Sequence, residues 1–295
     1  MTDATILIPT HRHAALLPFA VRSALAQEGA EIEVLVVGDG VDDDTRHALG
    51  PFLADPRVRF FDRPKGERHG ERLRHDALRE STAPIVCYLS DDDLLLPGHV
   101  ARMAELLERA DLATDLPANV WPDGSIHYFA FDLGRPEFVQ LLAEGRASGS
   151  LTGTAHTREA YDRLPFGWRP APPDTPTDVH MLQQFLTLPG FGGVTSDRLT
   201  SLTFPSALRA HMTDGERVAE LEGWERRVRD PQFPEELEKL TFAAARRAAE
   251  RLKLTSLRLE AELERVRRTR WWRARRAVAE LSPVRKLNAK RREAH

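Results

Sequence analysis

The stretch ATILIPTHRHAALLPFAVRSALAQEGAEIEVLVVGDG, residues 4–40, decides the fold. Its two ends, 4–10 and 31–40, are β-branched apolar runs that stop at turn formers, and residues 12–27 between them place apolar side chains at helical spacing. The three pieces read as strand, crossover helix, strand. The pattern continues: a helix-like 42–55 precedes VRFFDRP (58–64), and a helix-like 70–81 precedes APIVCYLS (83–90). Near-continuous apolar strands, alternating with helices, predict an α/β fold whose mostly parallel sheet is covered by helices on both faces. Ligands of such sheets gather at the carboxyl ends of the strands.

After residue 100 the alternation loosens. HVARMAELLERA (99–110) is a helix, and NVWPDGSIHYFAF (119–131) reads as a hairpin turning at Pro122-Asp123-Gly124. Residues 164–186 are a proline-rich loop that enters a helix at Thr177 or Asp178, and long loops inside a domain tend to carry function. Beyond Pro234 the chain turns to Ala, Leu, Glu and Arg, with Leu252, Leu259, Leu263 and Val266 at heptad-like intervals. The expected division is 1–235 for the sheet domain and 236–295 for a basic C-terminal helical extension.

Composition sets the class. With 41% hydrophobic and 29% charged residues over 295 positions, the chain has the balance of an ordinary globular protein. Its single cysteine, Cys87, lies in an apolar run, which rules out an intramolecular disulfide and suits a reducing cytoplasm. The start MTDATILIPT has no basic region before its short apolar stretch, so neither export nor membrane insertion is expected. Net charge is -3, but residues 246–295 hold 17 Lys and Arg against 6 Glu, a net of +11 on an acidic body. That asymmetry points the tail toward an anionic surface.

Three polar clusters fall at strand ends: PTHRH after the first, GDG (38–40) after the second and SDDD (90–93) after the fourth. Asp39, between two glycines, suits either a carboxylate accepting from a base N–H or ribose hydroxyl, or an Asx-type turn residue. Asp91, Asp92 and Asp93 carry more. In an extended segment Asp91 and Asp93 share a face, as a hard divalent ion bridging two phosphates requires. A helix cap needs one carboxylate, and three adjacent charges are expected to find relief in a bound cation.

The order ILIPTHRHAALLPFAVRSALAQ, EVLVVGDGVDDDT, GERLRHDAL and YLSDDDLLLPGHV resembles the nucleotide-binding half of family 2 glycosyltransferases of the GT-A (Rossmann-like) fold, as found in bacteria. The resemblance implies a nucleotide-sugar half at 1–100 and an acceptor half at 101–235. It places Pro9, Thr10 and Arg12 in the first nucleotide loop and Asp39 on the base, usually uracil. Arg74 with His75 takes the place of a commoner Arg-Asn pair, and Arg68 is a second candidate for the diphosphate. Asp91 to Asp93 cover the D-x-D motif, with Asp93 and Asp91 as Mn²⁺ or Mg²⁺ ligands and Asp92 or Asp91 toward the ribose. Gly38 replaces a frequent Asp, and Ser90 stands where many relatives place the first acid.

The implied reaction moves a sugar from a nucleoside diphosphate, with UDP favoured, to a hydroxyl on a glycan or lipid-linked acceptor, with inversion. A base must then take the acceptor proton. Asp178 in PTDVHM fits by position, with Asp174 behind it; His180 could bind metal or diphosphate, although a lone His is more often structural, and His156 and His211 are weaker candidates. Trp271 and Trp272 among arginines suit peripheral contact at the inner face of the cell membrane, or a self-associating helix. Nucleic acid is not an expected partner, because the body is acidic. A nucleotidyltransferase or a non-catalytic scaffold would build a similar sheet, but the first lacks its Gly-rich loop here and the second has no use for the acids.

Overall fold

The computed structural model describes residues 2–147, 149–269 and 272. Strand β1 (Ala4–Thr10), helix α1 (Leu17–Leu25) and strand β2 (Ile32–Asp39) form the first unit, with β1 parallel to β2 from Ala4 opposite Ile32 to Thr10 opposite Gly38. Helix α2 (Asp43–Leu49), capped by the Asp42 carboxylate on Thr45 N, leads to β3 (Val58–Arg63), and α3 (Glu71–Arg79) leads to β4 (Ile85–Tyr88). Then come β5 (Leu94–Leu95), α4 (His99–Leu107) and β6 (Leu112–Thr114). The expected hairpin is β7 (Ala118–Val120) with β8 (Ile126–Tyr128). Helix α5 (Pro136–Ala143), β9 (Thr154–Thr157), α6 (Arg158–Asp162), α7 (Thr177–Phe185), β10 (Gly193–Thr195) and β11 (Ser201–Leu202) follow. Helices α8 (Asp214–Val228) and α9 (Phe233–Arg268) complete the described chain.

The main sheet runs β10-β6-β9-β4-β1-β2-β3. Every pairing is parallel except those of β9, which is antiparallel to both β4 and β6. Strand periodicity explains the two covered faces. Ile6, Ile8, Val34, Val36 and Cys87 pack with α1 and α4, while Leu7, Leu35, Val37, Val86 and Tyr88 pack with α3, α6 and α7. Both sides of each central strand are therefore apolar, which is the GT-A-like, Rossmann-like layering the sequence predicts. Cys87 is a fully buried core residue, and burial raises its thiol pKa far from reactivity.

A third cluster fixes α8. Its Leu221 and Trp224 are buried with Leu16, Phe19, Leu94, Leu202 and Phe204. Thr213 and Glu216 close a reciprocal capping box at its start. Glu225 takes Arg22 of α1 at 2.6 Å, and Glu220 takes the buried Arg209, also at 2.6 Å.

Residues 1–244 form one compact unit and 245–295 a second, with the boundary inside α9. On α9, Leu252, Leu259, Leu263 and Val266 are exposed. Trp271 and the basic run 273–295 lie outside the described residues. Among the described helices none is long and apolar enough to cross a membrane.

Candidate functional site

Parallel strands deliver their carboxyl ends to one edge, and there the polar clusters converge. The end of β1 and the residues after it (Pro9 to His13), Asp39 at the end of β2 and Ser90 to Asp92 after β4 line a single cleft of about 440 Å³ with Arg68, Arg74, Leu151 and Ser206. That volume suits a nucleotide-sized ligand.

Asp39 is held, not free. Its carboxylate accepts from Gly66 N at 2.6 Å and from the Lys65 ammonium, and its carbonyl meets His11 Nδ1 at 2.6 Å. The loop after β3 thus wraps over the end of β2. Arg68 in this loop carries a positive φ of 49°, a costly conformation for a residue with a side chain, and its carbonyl accepts from Lys65 Nζ at 2.7 Å. The Arg68 side chain is exposed, as is that of Arg12 across the cleft.

Arg74 is the most informative group. It is 6% exposed, its Nη2 donates to His69 O at 2.9 Å, and its guanidinium lies 4.8 Å from the centroid of the Trp168 ring. Its Nε and Nη1, together with Thr10 Oγ1, have no partner among the described residues. Buried donors are normally answered, so a buried cationic fork in the cleft wall with two unanswered N–H groups is suited to an acceptor-rich ligand. Trp168 is itself fixed, since its Nε1 donates to Tyr88 Oη at 2.8 Å and that hydroxyl meets His156 Nε2 at 2.8 Å. His75 points elsewhere and bonds Tyr161 Oη at 2.9 Å, so it does not join Arg74 in the cleft.

The acidic triplet departs from expectation. Residues 91–93 lie in a turn closed by Asp93 N on Ser90 O at 3.2 Å, so the two-residue alternation of an extended segment does not apply. Asp91 and Asp92 face the cleft, and Asp93 turns inward. Asp93 is 3% exposed, with Oδ1 accepting from Phe204 N at 2.6 Å and Oδ2 from Thr152 Oγ1 at 2.5 Å. Burial first, then the neighbouring Asp92 charge, raises its pKa well above the usual carboxylate range. Asp93, expected as a cation ligand, does not line the cleft, and its oxygens join the strand end to the second half of the domain.

The other two acids are neutralised by the protein as well. Asp91 Oδ1 lies 2.8 Å from His13 Nδ1, and this hydrogen bond raises the His13 pKa. Asp92 Oδ2 accepts from Ser206 Oγ at 2.8 Å and from Arg217 Nη2 at 2.7 Å. A bound cation is thus not the sole relief for the crowding. His13, Asp91 and Asp92 nonetheless offer ligand atoms within 4.8 Å of one another. The two carboxylates suit Mn²⁺ or Mg²⁺, and the added imidazole nitrogen favours Mn²⁺ over the harder Mg²⁺.

Asp178 opens the first turn of α7, half-buried, with Oδ1 accepting from Val179 N at 2.9 Å. Burial raises its pKa. The neighbouring Thr177 hydroxyl bonds the buried Glu71 of α3, which ties the start of α7 to the helix that carries Arg74. Asp178 is not among the residues lining the cleft. Asp174 is exposed in a turn, His180 stacks on Phe166, His211 is exposed, and His156 is buried.

Sequence reasoning passed over His13, Lys65, Ser206 and Arg217. His13 was visible as the second histidine of PTHRH, and Lys65 as the residue before a glycine just past a strand. Ser206 and Arg217 reach Asp92 across 114 and 125 residues, and no local signal marks them.

Residues 5–135 match the family model described as Glycosyl transferase family 2. Over 113 residues the chain is 35% identical to the succinoglycan biosynthesis protein ExoO of Rhizobium meliloti, covering 38% of this chain and 30% of that protein. Over 106 residues it is 24% identical to the GalNAc(5)-diNAcBac-PP-undecaprenol beta-1,3-glucosyltransferase of Campylobacter jejuni, covering 36% and 34%. The matched part spans about a third of the length of these relatives. Among solved structures, Staphylococcus aureus TarS 1-349 in complex with UDP-GlcNAc matches with TM-score 0.55 at 13% identity, over 69% of this chain and 58% of that one. The mannosyltransferase PcManGT from Pyrobaculum calidifontis, in complex with GDP-Man and Mn²⁺, matches with TM-score 0.50 at 18% identity, over 92% and 82%. At these identities the structural likeness establishes the fold.

Proposed function

We propose, from the match of residues 5–135 to the glycosyl transferase family 2 model, that this protein moves a sugar from a nucleoside diphosphate, UDP being favoured, to a hydroxyl acceptor, with inversion and with the help of a divalent cation. The observation that carries the proposal is the buried Arg74 guanidinium, with two unanswered N–H groups, in the wall of the cleft where Asp39, Asp91 and Asp92 converge. In this reading Asp39 accepts from the base, and Thr10, Arg12, Arg68 and Arg74 surround the ribose and diphosphate. His13, Asp91 and Asp92 would hold Mn²⁺ or Mg²⁺, which, when bound, supplies positive charge opposite the leaving diphosphate.

The remaining chemistry falls to side chains. Arg74, desolvated and fixed on Trp168, is preorganised to oppose negative charge growing on the diphosphate as the glycosidic bond breaks. Asp178, its pKa raised by burial, would take the proton from the acceptor hydroxyl as it attacks the anomeric carbon. No covalent intermediate on the protein is needed. The acceptor is proposed to be a growing bacterial glycan or a lipid-linked sugar, in line with the succinoglycan and undecaprenol relatives. For α9 and the basic residues beyond it we propose peripheral membrane contact or self-association at the cytoplasmic face.

The test is a thermal-shift and turnover screen of nucleoside diphosphates and their sugars with and without Mn²⁺. Stabilisation by UDP or a UDP-sugar, with metal-dependent donor hydrolysis or transfer, is the expected result. Absence of any nucleotide-dependent shift would remove the reading.

A further inference from the structure

Resting on the proposed function, we infer that Arg217 is the resident counter-cation of the carboxylate pair, and that it and a divalent cation hold Asp92 in alternation. Arg217 Nη2 lies 2.7 Å from Asp92 Oδ2, and the two side chains are each only 12% exposed. A pair so enclosed is poorly screened, unlike a surface salt bridge. The guanidinium does not arrive there by chance of a flexible arm. It projects from the first turn of α8, which is set by the Thr213–Glu216 capping box, by burial of Leu221 and Trp224, and by the Glu220–Arg209 and Glu225–Arg22 ion pairs.

The same Asp92 belongs to the His13, Asp91 and Asp92 group whose ligand atoms lie within 4.8 Å. A guanidinium and a dication both seated on this carboxylate would repel at short range in a weakly screened site. One must leave for the other to bind. The exchange also explains how adjacent carboxylates persist in the donor-free protein: Arg217 and Ser206 answer Asp92, and His13 answers Asp91. Cation loading replaces one positive group by another and releases the α8 side chain from Asp92. Arg217 is therefore a positioning residue that weakens cation binding before the donor arrives.

The experiment is a Mn²⁺ titration of the full chain without nucleotide, read by the electron paramagnetic resonance signal of free Mn²⁺, on wild type, Arg217→Gln and Arg217→Lys. Removing the competing charge should tighten Mn²⁺ binding by about tenfold or more in Arg217→Gln, while Arg217→Lys stays near wild type. In wild type, added Mg²⁺ should also shift the guanidinium nuclear magnetic resonance signal of Arg217, a readout that needs no variant to fold. Equal Mn²⁺ affinity in wild type and Arg217→Gln, or no shift of the Arg217 signal at saturating Mg²⁺, overturns the alternation and leaves the transferase reading standing. No Mn²⁺ binding by any of the three proteins at millimolar metal overturns the metal role and this inference together.

Discussion

Gly70 faces Asp39 so closely that a Cβ on it would lie 2.7 Å from the Asp39 carboxyl carbon, and its φ of 69° is one that only glycine adopts without strain. The cleft therefore depends on the absence of a side chain at the start of α3.

Gly70→Ala is predicted to destabilise the fold by about 2 kcal/mol, from strain and from displacement of Asp39. It should weaken binding of UDP at least as visibly. Gly98→Ala, where an added Cβ meets nothing within 4 Å, is the control and should be nearly neutral. Urea unfolding and calorimetric titration with UDP check both; equal stability of the two variants would refute the packing argument.

Asp92 and Asp93 are predicted to separate cleanly. Asp93→Ala strands Phe204 N and the Thr152 hydroxyl in the interior and should cost about 2 kcal/mol of stability. Asp92→Asn takes the counter-charge from the enclosed Arg217 and should also lower stability, but, unlike Asp93→Ala, it should abolish Mn²⁺ binding. Comparison of chemical unfolding with metal titration decides the matter, and a stable Asp93→Ala that no longer binds metal would restore Asp93 as a ligand.

Asp178→Asn should keep donor affinity and lose about 10²–10⁴-fold in turnover, the range for removal of a general base. Because burial raises the Asp178 pKa and the base must be ionised, wild-type turnover should fall on the acid side at a pH above the ordinary carboxylate range. A pH–rate profile and binding of UDP-sugar read the two effects separately. Full turnover in Asp178→Asn would discard the assignment.

Acid should destabilise the protein through its buried histidines. His99 and His156 are completely buried, and desolvation lowers each from 6.5 to about 3. Below pH 6.5 the unfolded chain takes up protons that the folded chain refuses, so their contribution to stability, complete above 6.5, drains as pH falls toward 3. Each contributes a slope of up to about 1.4 kcal/mol per pH unit. His156→Gln should reduce the acid slope by one histidine's share, measured by urea unfolding between pH 7 and 4; an unchanged slope would show that His156 titrates normally.

The strands and crossover helices were legible because their signals are local. The β-branched runs 4–10 and 31–40 bury both faces of a parallel pair, and the helix between them needs only spacing. The convergence of Thr10, Asp39 and Asp91 at one edge followed from parallel topology alone. The triplet was misread where locality failed. Its two-residue alternation assumed an extended segment, and the chain makes a turn there instead.

By itself the sequence determined the α/β layering and the edge at which the polar clusters meet, while the resemblance supplied Arg74 and put Asp93 first among the cation ligands. Only tertiary structure decided which carboxylates are open to a ligand. Asp93 is engaged by Phe204 and Asp92 by Arg217, partners 111 and 125 residues away. A periodic pattern records what each residue's neighbours along the chain require. The state of a charge depends on what folding brings beside it and on how much water it removes.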